Sequence, residues 1–232
     1  MPFRALVERL FTAYCLVLFA ILALTALTVN LFVPTLRARR WVAATLSRAF
    51  FRLAGIPLRV EGLERLPKTA CVVVANHASY IDGIVTAAAL PPAFAFVIKK
   101  EMVRVPLASL LLRRLGSAFV ERFDRHKGGA DTRRVWKLAA GGQSLVFFPE
   151  GTFDTHRQVR RFLGGAFATA KRSNMPVVAA AIHGTRDALP PGGIMIYRRA
   201  LRFEILEVLD PEGARERSRQ LIAAAVGEPL AP

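Results

Sequence analysis

Cys71-Val72-Val73-Val74-Ala75-Asn76-His77-Ala78-Ser79-Tyr80-Ile81-Asp82 is the stretch on which the reading of this chain turns. Its first five residues form an uninterrupted apolar run, centred on three valines, of the kind that builds strands buried on both faces. A histidine and an aspartate five residues apart follow at once. Side chains at that spacing do not share one face of a regular helix, so His77 belongs to a turn and Asp82 to the start of the helix behind it. The pair thus sits at a strand's carboxyl end, where open α/β sheets present their functional groups.

That geometry suits a base and its orienter. A neutral imidazole takes a proton from a hydroxyl near neutral pH, and a carboxylate on its second nitrogen fixes the tautomer and stabilises the imidazolium. Proton transfer of this kind is worth about 10²–10⁴ in rate. Asp82 also has a purely local reading. Ser79, with Asp82 three residues on and Ile84-Val85 following, makes a capping box in which the aspartate only closes the helix's first turn. Both readings stand at this point.

Outward from this stretch, short apolar runs alternate with helix-like segments. Strands are expected near 58–62, 71–75, 94–98, 118–121, 145–149, 177–183 and 201–208. Helices are expected over 37–53, 82–90, 101–115, 129–140, 163–173 and 212–226. Pro91-Pro92, Gly128-Gly129, Gly141-Gly142 and Pro190–Gly193 punctuate the connections. The alternation predicts an α/β fold with a largely parallel central sheet of about seven strands covered by helices on both faces. With no repeat and no long linker, residues 55–232 are expected to form one domain. Within 101–115, Leu107 and Leu110–Leu112 are interspersed with Arg104, Arg113 and Arg114, a pattern that fits ordinary core, the lining of an apolar ligand's tunnel or a lipid-facing surface.

Residues 1–54 read differently. Leu10–Val33 carries no charge over twenty-four positions, enough for a helix to cross about 30 Å of hydrocarbon. The run is longer than the apolar core of a signal peptide, about 7–15 residues, and lacks a small-x-small exit. A single span and a shallow insertion remain. Arg4 and Arg9 before it and Arg37, Arg39 and Arg40 after it lean toward a cytoplasmic catalytic domain on the cell membrane. Cations on both sides also suit a membrane-anchoring helix pair in one leaflet, with Trp41–Ala54 as the amphipathic second member.

The net charge of +16 and pI near 11.3 call for an anionic partner. Membrane phospholipid headgroups supply about 1 kcal/mol per well-placed cation. Nucleic acid is not expected, because zinc-ligand spacing, helix-turn-helix and aromatic RNA-binding signatures are all missing. Cys15 and Cys71 have the spacing of neither a metal site nor a disulfide framework, and His77 with Asp82 has no third metal ligand in sequence. His126, His156 and His183 fall in polar loops or at a strand end and are not expected to be catalytic.

Two further motifs follow the first. Gly116–Arg122 reads G-S-A-F-V-E-R, and Phe147–Thr152 reads F-F-P-E-G-T after Leu145-Val146. With N-H-A-S-Y-I-D they resemble, intact and in order, the blocks of the lysophosphatidic acid acyltransferase family of glycerolipid acyltransferases, over roughly residues 50–210. The resemblance implies His77 as general base and Asp82 as its orienter. It implies Arg122 as ligand of the acceptor's phosphate, Lys99 as a further cation of that pocket, and Glu150, Gly151 and Thr152 as the acceptor-pocket block. Asn76 and Ser79 of the first block are carried with the substrate-binding set. No cofactor is implied; the co-substrate is an acyl-CoA or an acidic acyl carrier protein, and the acceptor is a lysophospholipid.

The chain departs from the family pattern in places. Phe153 and Asp154 stand where many members continue with arginine and serine, with Arg157, Arg160 and Arg161 a few residues on. A family F-K-x-G element appears as Phe162-Leu163-Gly164-Gly165, and the fourth block as Met175-Pro176-Val177-Val178-Ala179. These changes bear on the acceptor's headgroup, leaving open a lyso-aminolipid or another lysophospholipid. Glu150 has two open roles, contact with an acceptor hydroxyl or ordering of its own turn. Donors to the thioester oxygen are expected among backbone N–H groups near the Gly151 turn or the helix after His77. From other classes come a serine hydrolase using Ser79 or Ser144, although Gly142-Gln143-Ser144-Leu145-Val146 lacks the closing glycine of a nucleophile elbow, and a non-enzymatic basic membrane-binding module.

Overall fold

The computed structural model describes residues 2–121 and 128–232. Among them, the strands are β1 (Leu58–Glu61), β2 (Val72–Ala75), β3 (Phe94–Lys99), β4 (Ala118–Val120), β5 (Ser144–Phe147), β6 (Val177–His183) and β7 (Leu201–Leu209). They form one seven-stranded sheet in the order β1-β7-β6-β2-β5-β3-β4. Every neighbouring pair is parallel except β6 with β7. The helices are α1 (Pro2–Phe32), α2 (Leu36–Leu53), α3 (Asp82–Ala89), α4 (Pro106–Arg114), α5 (Gly128–Ala140), α6 (Gly165–Arg172), α7 (Thr185–Ala188) and α8 (Ala214–Val226).

The valine run of β2 is buried throughout, and strand alternation divides it between two cores. Val73 and Ala75 pack with Val85 and Ala89 of α3, Phe50 and Phe51 of α2 and Cys15 of α1. On the other face Val72 and Val74 pack with Val135 of α5, Phe167 and Ala170 of α6 and Ile222 of α8. Both layers are therefore needed to bury a strand with no polar face.

The front end is tied to this body. Val33 and Pro34 separate α1 from α2, and the Thr35 hydroxyl caps α2 by accepting from the Ala38 N–H at 3.3 Å. Thr12, Cys15, Ala26, Leu27 and Asn30 are buried along one stripe of α1 while much of its remaining apolar surface is exposed. Arg40 of α2 is buried, and its guanidinium donates to the carbonyls of Leu115 and Ala93, each at 3.0 Å, and to the Gln143 side chain at 2.9 Å. These acceptors lie just before β4, β3 and β5, so one side chain fastens α2 to the amino ends of three strands.

Three differences from expectation have local causes. The helix expected over 101–115 divides into a 3₁₀ turn at Lys100–Arg104 and α4, because Pro106 has no N–H to donate and holds Val105 extended (φ −100°, ψ 97°). β5 stops at Phe147, two residues before Pro149. The four-residue α7 was not anticipated. It follows Gly184, whose φ of +81° and closeness to the Ala200 carbonyl (2.4 Å from where a Cβ would stand) admit only glycine.

Candidate active site

β2 and β5 are parallel neighbours, with Val74 opposite Phe147, so the chain leaving β2 at Asn76-His77 and the chain leaving β5 at Phe148–Gly151 emerge side by side. Between them, His77 Nδ1 lies 2.8 Å from Asp82 Oδ2. Asp82 is fully buried at the first residue of α3, and the same Oδ2 accepts the N–H groups of Ala78 at 2.7 Å and Ser79 at 2.8 Å. One carboxylate oxygen thus shapes the turn and holds the ring, uniting the two readings of Asp82. With Nδ1 donating to that carboxylate, Nε2 is the basic nitrogen.

The capping box itself does not form. The N-cap of α3 is Ile81, with no side-chain cap, and the Ser79 hydroxyl instead donates to the Leu189 carbonyl at 2.7 Å. Ser79 is completely buried, with its hydroxyl committed to that carbonyl rather than turned to open space beside His77. Ser144 opens β5 at the opposite edge of the sheet and accepts from the Cys71 N–H at 3.2 Å. The serine-hydrolase reading therefore has no nucleophile beside His77 at either position.

Asn76 is also part of the frame. It is buried, its amide donating to the Ile182 carbonyl at 2.9 Å and accepting from the Ile182 N–H at 2.8 Å. That exchange extends the β2·β6 pairing one residue beyond the strand. Glu150 does the equivalent on the other side: Oε1 accepts from the His77 N–H at 2.7 Å and Oε2 from the Arg160 N–H at 2.8 Å. Of its two open roles, ordering the chain is the one observed. Burial pushes its carboxyl up to about 7, against the opposing pull of the Arg160 and His77 N–H donors. Gly151, at φ +78°, closes the adjoining turn by donating to the Phe148 carbonyl at 3.0 Å.

These bonds occupy the N–H groups of His77, Ala78, Ser79 and Gly151. The expected thioester-oxygen donors are therefore not found at those four positions. Thr152 is exposed beside the site, and Lys99 is exposed at the carboxyl end of β3, where it pairs in register with Val120 of β4. Arg122 and His126 lie outside the described residues.

Sequence reasoning missed the aromatic surround of the imidazole. Phe148 stacks on His77 at 4.6 Å and 21°, and Phe153 meets it edge-on at 4.5 Å and 74°. Tyr80 packs against Phe153 in turn at 4.8 Å. Strand alternation carried the signal for Phe148: Phe147 enters the core shared with α5 and α6, so its neighbour must face the α3 side, where His77 lies. Beyond Phe153, Asp154 pairs with Arg160 and Asp187 with Arg157. Two of the three arginines that follow the F-P-E-G-T block are thus held by carboxylates. Arg161 is exposed.

With a base, its orienter and a hydrophobic wall at the sheet's carboxyl edge, the site can deprotonate an alcohol next to apolar substrate. Residues 57–183 match the family model described as Acyltransferase. A chloroplastic 1-acyl-sn-glycerol-3-phosphate acyltransferase of Brassica napus is 33% identical over 135 residues, 57% of this chain and 39% of that protein. A lyso-ornithine lipid O-acyltransferase of Pseudomonas aeruginosa is 32% identical over 158 residues, 66% of this chain and 56% of that protein. The chain thus spans well under two thirds of the length of these curated relatives. The crystal structure of the 1-acyl-sn-glycerophosphate acyltransferase PlsC from Thermotoga maritima has the same fold, with a TM-score of 0.77 at 21% identity over 97% of this chain and 96% of that one.

Proposed function

The chain belongs to the acyltransferase family, and on that premise we propose that it transfers a fatty acyl group from an acyl thioester to the free hydroxyl of 1-acylglycerol 3-phosphate, forming phosphatidic acid. The observation that carries this reading is the 2.8 Å contact between His77 Nδ1 and the buried Asp82 carboxylate. It leaves Nε2 to take the acceptor's proton. The alkoxide oxygen then attacks the thioester carbonyl, the tetrahedral intermediate collapses, and the C–S bond breaks. The imidazolium returns the proton to the departing thiolate, so ester and thiol leave with His77 neutral. No acyl-enzyme is needed, in keeping with the committed hydroxyls of Ser79 and Ser144. The proposed donor is an acyl-CoA or an acyl carrier protein. Lys99 and Arg122 are the proposed cations for the acceptor's phosphate.

The reaction is proposed to run at the surface of the cell membrane, with the catalytic domain on the cytoplasmic side. Among the described residues, α1 is a helix long and apolar enough to cross a bilayer. Its buried stripe from Thr12 to Asn30 keeps it against the domain, which supports a helix lying in one leaflet over a helix leaving the domain to span.

Purified protein supplied with labelled acyl thioester and lysophosphatidate is expected to make diacyl product, and folded His77→Ala protein is not. Equal activity in the two removes His77 as base. A second reading keeps the chemistry and changes the acceptor to a lyso-aminolipid. It is favoured by Phe153 against His77 and by the Asp154–Arg160 pair, which put an aromatic ring and a neutralised cation near the base. Competition between lysophosphatidate and a lyso-ornithine lipid, read as relative kcat/KM, separates the two.

A further inference from the structure

Helix α4 turns two of its four leucines outward. Its buried residue is the polar Ser109, 6% exposed, whereas Leu107 is 65% exposed and Leu110 42%. Three residues apart, the two leucines share one helical face. Val105, just before the helix, is 48% exposed and extends that apolar surface. A helix of a water-facing domain shows the opposite arrangement, its apolar stripe inward and its polar residues outward.

The surface is continuous with the apolar front end. Arg114, near the end of α4, donates from Nε to the Asn30 carbonyl at 3.1 Å and from Nη2 to the carbonyls of Asn30 at 2.8 Å and Leu31 at 2.7 Å. These are orphan carbonyls of the last turn of α1, so the arginine caps one helix with the other and fixes their relation. Beside that junction Leu31 and Phe32 of α1 are exposed. Arg104, next to Val105 in the chain, and Arg37 of α2 are exposed, and Trp41 of α2 presents an exposed indole, a side chain suited to the headgroup level. Exposed apolar residues with exposed cations on the same and the neighbouring segments complement an anionic bilayer surface.

We infer that α4 is a second membrane-contacting element, its Val105–Leu110 face resting in the lipid interface alongside α1. The inference does not depend on the reaction assigned to His77. Because α4 joins β3 to β4, only the five residues Lys100–Arg104 separate Lys99, at the sheet's carboxyl edge, from that lipid-facing surface.

The test uses the full chain with Trp41 and Trp136 changed to phenylalanine, reconstituted in phosphatidylcholine–phosphatidylglycerol vesicles, with single tryptophans introduced by Leu107→Trp, Leu110→Trp and, as the reference for the anchor, Val17→Trp. Lipids carrying a nitroxide at graded depths report each position. Tryptophans at 107 and 110 are expected to emit to the blue and to be quenched most strongly by nitroxides about 5–10 Å below the headgroups. Quenching at 17 with none at 107 and 110 overturns the inference, since the anchor is then inserted and α4 is not. Blue emission at 107 and 110 that is insensitive to nitroxide and fades as the protein-to-lipid ratio is lowered also overturns it, assigning the face to a second copy of the chain.

Discussion

Asp82 reaches His77 through Oδ2, which also receives two backbone N–H groups, while its Oδ1 is buried with no hydrogen-bond partner among the described residues. A carboxylate so placed does more than close a turn. It supplies a fixed negative charge to the imidazolium formed during proton transfer, in surroundings that exclude water. Asp82→Asn retains an oxygen for the N–H donors and removes the charge. Its kcat is expected to fall by about 10²–10⁴ with KM for the acceptor little changed. Initial rates on protein matched for folded content by circular dichroism check this, and a variant within a few-fold of the parent leaves Asp82 with only its role of shaping the Ala78–Ser79 turn.

Asn76 offers the complementary case of a motif residue that serves the frame. Asn76→Ala strips the Ile182 N–H and C=O of their partner at the end of the β2·β6 pairing, in a position closed to solvent. Each buried polar group left unsatisfied costs about 1–3 kcal/mol. Denaturant unfolding in detergent is expected to show that loss, with KM for both substrates unchanged at temperatures where the variant is folded. A raised KM with undiminished stability would show instead that the amide touches substrate.

The sheet was legible because fully buried parallel strands are written as unbroken apolar runs, and Val72–Ala75, Leu145–Phe147 and Val177–Ile182 are such runs. The antiparallel direction of β7 was not, since strand direction depends on the path of the Gly184–Ala200 connection rather than on any local pattern. At the site, the spacing of His77 and Asp82 allowed a base with its orienter but equally an aspartate that only closes the helix's first turn, and the 2.8 Å contact decides between them. Glu150 likewise had two readings. A carboxylate one turn beyond a strand looks the same in sequence whether it faces a ligand or the neighbouring backbone, and the deciding partner, the Arg160 N–H, belongs to a loop with no periodicity. The aromatic ring on the edge of His77 was hidden for the same reason, since Phe153 lies beyond the end of β5.

Arg40 makes the anchoring of the front helices testable. Its three hydrogen bonds reach the chain just before β3, β4 and β5, and burial draws its pKa down from the usual guanidinium range. Hydrogen bonds from charged donors contribute about 1.5–3 kcal/mol each, not additively. Arg40→Leu is expected to destabilise the protein by about 3 kcal/mol or more and to open α2 first. Hydrogen exchange read by mass spectrometry should show faster exchange over Leu36–Ala44 than over Val72–Ala75. Uniform acceleration across both segments contradicts a local fastening role.

The ionisation of Glu150 gives stability a pH dependence whose sign can be worked out. Burial raises its pKa from about 4.5 to about 7 in the folded protein, despite the N–H groups of Arg160 and His77 that favour the charged form. Between those values the folded state holds a proton that the unfolded state has released, so unfolding free energy must fall as pH rises. The fall begins above about 4.5, is complete above about 7, and amounts to about 1.4 kcal/mol per pH unit at its steepest, or about 3 kcal/mol in all. Glu150→Gln removes the titration and should flatten this part of the profile, although it costs a hydrogen bond at every pH because an amide has one oxygen where two N–H groups seek acceptors. Other groups titrate in the same window, so the quantity to measure is the difference between the two proteins' unfolding free energies from pH 4.5 to 8 in one detergent. A parent-minus-variant difference that declines through pH 5–7 agrees with a buried, protonatable Glu150. A difference that is constant, or that grows with pH, means the carboxylate is already charged below pH 5 and its two N–H donors outweigh burial.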